Sequence, residues 1–146
     1  MKLTLDNLEI QNEQVANKVW RTTHDWEFSV DDVPHTITKH FYHDKYSGPR
    51  NPIYKRTRNC EIENMPAVLH DFLMRNRKLL GFSIMQCHDL FRQAMRLAEL
   101  STWLTNLKYS GVVCFNWLIA GPGDGTPPRR IRRVMRKQSN RGDDDV

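Results

Sequence analysis

The stretch Ser83-Ile84-Met85-Gln86-Cys87-His88-Asp89-Leu90-Phe91-Arg92-Gln93-Ala94-Met95-Arg96-Leu97-Ala98 decides the fold. Ile84, Cys87, Phe91, Ala94 and Ala98 recur at steps of three and four, which places them on one side of an α-helix. Leu90, Leu97 and Leu104 widen that stripe. Ser83 and Gln86 have the spacing of a capping box, in which the hydroxyl accepts from one backbone N–H and the amide returns the bond. The pattern predicts a helix over residues 84–106.

Working outward, Val68, Leu69, Phe72, Leu73 and Leu80 form a second stripe. Asn64 is a natural cap for it, Pro66 is tolerated in a first turn, and Gly81 is a natural stop. Further upstream the period changes. Trp26, Phe28 and Val30 alternate with polar residues as in a half-buried strand. Asp31-Asp32-Val33-Pro34 is a turn signal and His35 to Tyr42 a β-rich run, so residues 26–43 are predicted as a hairpin. Leu8, Val15 and Val19 fit a short helix, although residues 1–20 are ambiguous, and Ser47 to Pro52 reads as a loop. Downstream, Gly111 opens the apolar run Val112 to Ala120. Its length and β-branched content favour a buried strand, and a short buried helix has the same signature.

These elements predict an α+β fold, strand-rich with a hairpin to residue 60 and helical afterwards, ending in a disordered basic tail. Residues 1–120 read as one small domain, 121–128 as a Gly/Pro linker, and 129–146 as a basic and then acidic tail.

The chain has 146 residues, of which 39% are hydrophobic and 27% charged, with a net charge of +5. That suits a modest core. No apolar run approaches the ~18 residues needed to span a bilayer, and Met1 to Ile10 lacks the apolar stretch of a secretory signal. Cys60, Cys87 and Cys114 contain no Cys-x-x-Cys pair. An odd, sparse set points to a reducing intracellular compartment rather than a disulfide scaffold.

No enzyme emerges from the motifs. His35, His40 and His43 lie near Asp44 and Cys60, but His40 and His43 are three apart and face opposite sides of a strand, so a tetrahedral metal site needs the strand to break. The same spacing lacks the metal clamp of a replication nickase, and Tyr54-Lys55 lacks the helical context of its nucleophile. Cys87-His88 diverge by about 100° on a helix, so Cys87 reads as a buried, inert thiol. Gly121 to Thr126 has no Lys-Ser/Thr and is no P-loop. Arg141-Gly142-Asp143 reads as chance. No cofactor or metal is implied.

The charge is uneven. Arg129, Arg130, Arg132, Arg133, Arg136 and Lys137 stand together with no acid among them, residues 138–146 sum to −2, and the other 128 residues to +1. This cluster reads as a nuclear-import signal or as an electrostatic arm for nucleic acid, with a merely solvated tail as the plain alternative. As a helix it sets Ile131, Val134 and Met135 together, suited to docking on a partner. Trp20, Trp26, Phe28, Phe41, Tyr42, Tyr46 and Tyr54 are interleaved with Lys39, Lys45, Arg50, Lys55, Arg56 and Arg58. That pattern reads as a core rimmed by cations, or as a stacking platform for single strands.

Several ordered blocks resemble the replication enhancer protein of geminiviruses, plant viruses with single-stranded DNA genomes. Gln14-Val15-Ala16-Asn17-Lys18-Val19-Trp20 is similar to that family's Gln-Ala-x-Asn-x-Val segment, and Asn51-Pro52-Ile53-Tyr54 to its Asn-Pro-Leu-Tyr. Arg77-Lys78-Leu79-Leu80-Gly81 with Cys87 resembles its Arg-Lys-x-Leu-Gly block, and Gly111 to Ile119 its Gly-Val-Ile-x-Ile-Asn-x-Val-Ile block. Trp20 and Asn51 lie farther apart than in that family, and Pro127-Pro128-Arg129-Arg130 has no counterpart there. The resemblance implies a non-enzymatic viral accessory protein of the host nucleus that enhances viral DNA replication. Its implied partners are the viral replication initiator, the host sliding clamp, retinoblastoma-related protein and further copies of itself. Carried over residue by residue, the protein contacts are Arg77, Lys78, Leu79, Leu80, Gly111, Val112, Val113, Asn116 and Ile119. The rival function is a nucleic-acid-binding silencing suppressor or movement-type protein acting through the basic tail.

Overall fold

Trp26, Phe28 and Val30 alternate because they belong to a strand with one face in the core. In the computed structural model, which describes residues 1–44, 64–115 and 126–140, they lie on β4 (Trp26–Val30). A two-residue turn at Asp31-Asp32, with φ of 49° and 64°, returns the chain into β5 (Val33–Ile37). Two successive left-handed residues match the right-handed twist of a hairpin, and Asp tolerates that conformation. The register pairs Trp26 with Ile37 and Val30 with Val33. β1 (Leu3–Leu5) adds antiparallel to β4, giving the sheet order β1-β4-β5.

A second three-stranded sheet, β2-β3-β6, is built from β2 (Asn12–Ala16), β3 (Val19–Thr22) and β6 (Tyr42–His43). The hairpin therefore ends at Ile37 rather than at residue 43. A left-handed His40, φ 70°, redirects the chain to the second sheet. Thr22 fixes that departure: its hydroxyl donates to Thr38 O at 2.9 Å and accepts from Phe41 N at 2.9 Å. The ambiguous residues 1–20, where Leu8, Val15 and Val19 also fit a short helix, form strands instead, because residues 3–5, 12–16 and 19–22 find backbone partners that local spacing does not reveal.

Helix α1 (Asn64–Leu80) begins with the expected residue, but the Asn64 Nδ2 donates to Ile10 O at 3.3 Å and so ties the helix to the N-terminal segment. It stops at Gly81, φ 74°, where Phe82 N reaches back to Arg77 O at 2.8 Å. Helix α2 (Ile84–Leu97) carries the full capping box between Ser83 and Gln86. The single helix over 84–106 is corrected to two, α2 and α3 (Thr102–Phe115). Glu99 adopts φ 59°, with Glu99 N bonded to Arg96 O and Leu100 N to Met95 O, a Schellman ending without glycine. Ser101 Oγ then accepts from Leu104 N at 3.3 Å and starts the next helix. The apolar stripe hid this break because Leu104 resumes it on the new helix.

The strand favoured for residues 112–120 is also corrected where the structure describes it. Residues 111–115 are the end of α3, and residues 116–120 lie outside the described residues. The main core packs Leu3, Trp26, Phe28, Val30 and Ile37 of the first sheet against Val68, Leu69 and Leu73 of α1 and Cys87, Leu90 and Ala94 of α2. Strands precede helices in an α+β fold.

The basic segment, expected as a disordered tail, is ordered over helix α4 (Arg129–Ser139). Ile131 is completely buried against Val19 and Tyr42, with Val15, Ala16 and Val134 around them. Burying one such side chain contributes about 1.5–3 kcal/mol, and that contact converts a solvated run of cations into a seated helix.

Candidate nucleic-acid interface

Helix α4 has two unlike sides because of where its few apolar residues fall. At 100° per residue, Ile131, Val134 and Gln138 share one side, and all six cations fall within an arc of about 160° on the other. The inner side is seated on the protein through Ile131, with Val134 and Gln138 beside it. Ile131 is buried, Val134 is half-buried, and Tyr42 OH donates to the Gln138 side-chain carbonyl. Met135, 40% exposed, sits at the margin.

Arg129, Arg130, Arg132, Arg133, Arg136 and Lys137 are all exposed, and none pairs with a carboxylate among the described residues. Arg129, Arg132, Arg133, Arg136, Lys137 and Asn140 line an open groove of about 370 Å³. A second, of about 430 Å³, runs between the helix and the β2–β3 turn, lined by Ala16, Asn17, Val19, Arg129, Arg130, Arg133 and Val134. The first turn of α4 holds Arg129, Arg130 and Arg132, no acid, and no side-chain cap from Pro128. Cations there oppose the helix dipole, a cost of about 0.3–1 kcal/mol each that a bound anion reverses.

The residues carried over from the resemblance are not gathered in one place. Arg77, Lys78, Leu79 and Leu80 end α1, with Leu79 86% exposed and Lys78 exposed. Gly111, Val112 and Val113 are half-buried on α3, and Asn116 and Ile119 lie outside the described residues. The stacking platform is corrected where it is described. Trp26, Phe28 and Tyr42 are buried in the two cores, and Phe41 packs edge-on against Phe72 at 5.5 Å. Tyr46, Tyr54 and the cations from Lys45 to Arg58 fall outside the described residues.

A polar cluster that the sequence reading missed lies between α1 and α2. His70 Nε2 and His88 Nδ1 are 3.0 Å apart, with the rings stacked at 5.2 Å and His70 against Phe91 at 4.7 Å. Burial, helped by His88, pushes His70 down to about 3, and burial also lowers His88, so the two neutral rings share one hydrogen bond. Next to them, burial outweighs Arg75 and raises Asp71 to about 7. Arg75 donates to Asp71 at 2.5 Å and to Tyr42 O at 2.5 Å, and its guanidinium lies 5.0 Å from the Phe41 ring centre. A bonded path thus runs from Asp71 through Arg75 and Tyr42 to Gln138 on α4. The i, i+4 spacing of Asp71 and Arg75 is visible in the sequence, whereas the histidine pairing joins two helices and is not. Cys87 is fully buried, and burial raises its thiol to about 11, well away from nucleophilic range. Among the described residues no three His, Cys, Asp or Glu side chains converge as metal ligands.

A family model described as protein of unknown function (DUF1353) matches residues 20–112, well over half of the chain. The chain belongs to the DUF1353 family. The matched region contains the β4–β5 hairpin, α1, α2 and the His70–His88 and Asp71–Arg75 pairs, and it ends before α4. The cationic helix α4 lies outside the matched residues. No curated protein and no solved structure matches the chain. No described helix is long and apolar enough to cross a membrane.

Proposed function

We propose that this DUF1353 protein is a non-enzymatic accessory factor that binds the phosphate backbone of nucleic acid through α4. The observation that carries the reading is that the apolar side of the helix is used internally. A basic amphipathic helix that docks on a membrane needs its apolar face free for the acyl region. Here Ile131 and Val134 are already seated on β3 and β6, so what α4 offers outward is charge at helical spacing. Unpaired cations at i, i+3 and i+4 are the footprint of backbone contact.

The test replaces Arg129, Arg130, Arg132 and Arg133 by Ala together. Retained affinity of that variant for DNA and RNA would end the proposal; at least a hundredfold loss at physiological salt is expected. A second reading, a protein contact at the end of α1, is favoured by the exposure of Leu79. It extends the resemblance to a replication accessory protein and predicts that Leu79→Asp abolishes capture of the replication initiator while nucleic-acid binding is unchanged.

A further inference from the structure

We infer that the ligand of α4 is B-form duplex DNA, entered through its major groove; this rests on the backbone-binding reading above. The angular placement of the cations carries the inference. Arg132 lies on one flank of the outward side, Arg130 and Lys137 lie on the opposite flank, and Arg129, Arg133 and Arg136 form the ridge between them. A groove presents two phosphate walls and a floor, so cations on both flanks and along the ridge all find partners. A single strand presents one row of phosphates and leaves a flank unused.

The remaining features agree. Single-strand binders add aromatic rings on which bases stack, whereas the described aromatic that packs against α4, Tyr42, is buried, and none lies on α4 itself. Helix α4 is about 16 Å long, and a helix with side chains is about 10–12 Å across, which suits a major groove of about 12 Å. The deep, narrow major groove of A-form RNA excludes such a body. The β2–β3 turn at Asn17-Lys18 borders the groove beside Arg129 and Arg130, so it lies beside one wall when the ridge is inserted.

The experiment measures the full chain against one sequence as DNA duplex, DNA single strand and RNA duplex at equal ionic strength. It is repeated on a DNA duplex carrying N7-methylated guanine, which blocks the groove floor. The DNA duplex is expected to bind at least tenfold tighter than the other two, and methylation is expected to weaken it at least tenfold. Arg132→Ala and the pair Arg130→Ala with Lys137→Ala are each expected to weaken duplex binding, because each empties one wall. Equal affinity for single strand or RNA duplex, indifference to methylation, or loss confined to one flank overturns the groove inference while backbone binding stands. Absence of binding to all three overturns both.

Discussion

The body of this protein and its C-terminal helix are stabilised in different ways. In the body, two helices lie across a three-stranded sheet, and Phe28, Leu69, Leu73, Leu90 and Phe91 are almost wholly buried. Its polar groups are drawn inward as well, in the His70–His88 contact and the Arg75 bridge. Helix α4 is held through Ile131, Val134 and the Gln138–Tyr42 bond, with all its charge outward. The family match runs from residue 20 in β3 to residue 112 in α3, and β1, β2 and α4 lie outside it. The contrast shows that a helix whose cations all face outward can be seated on the body through one small seam.

The largest effect separates core from seam. Leu90→Ala, in the main core, should cost about 2–5 kcal/mol and lower the urea midpoint of the whole molecule, read by circular dichroism. A small change would mean that α2 is not part of the central core. Ile131→Asp should instead release α4 alone: amide exchange protection vanishes over residues 131–139 and persists in β4, α1 and α2. Simultaneous loss in both regions would remove the distinction between them.

The partly buried pairs give a finer test through pH. His70 titrates near 3 in the folded chain against 6.5 unfolded. Between those values only the unfolded chain binds the proton, so this group lowers stability as pH falls. Asp71, raised from 3.8 to about 7, has the opposite sign: the folded chain keeps a proton that the unfolded chain releases, and stability falls as pH rises through that window. From pH 3.8 to 6.5 the two oppose one another. His70→Phe should tilt the urea midpoints so that stability falls with rising pH, and Asp71→Asn should tilt them the other way. Two variants parallel to the parent would contradict the opposed shifts of these two groups.

The smallest effect concerns the break between α2 and α3. Glu99 has φ 59° where glycine is favoured, so Glu99→Gly should stabilise the body by about 0.5–1 kcal/mol without altering DNA binding. A lower melting temperature would show that the Glu99 side chain has a role of its own.

Much of the body was legible because its signals are local. Gly81 ends α1, Ser83 and Gln86 cap α2, and Asp31-Asp32 turns the hairpin, each within four residues of the structure it sets. What was not legible depends on distant partners. The N-terminal strands are fixed by pairing such as Leu3 with Val30, and the break at Glu99 uses a residue type that gives no warning. Residues 111–115 follow their helical neighbours despite a β-branched pair. For the site, the six cations were plain in the sequence. Their order was not, because Ile131 packs on Val19 and Tyr42, which only the pairing of β3 with β6 brings together.

The salt dependence of DNA affinity tests the central claim most directly. If α4 places its six cations on a duplex, log K should fall against log salt with a slope approaching −5, a loss of about 10³-fold from 50 to 200 mM, and each Arg→Ala on α4 should reduce the slope by about 1. A slope near zero, or one left unchanged by those substitutions, would show that the seated cationic helix is not the binding surface.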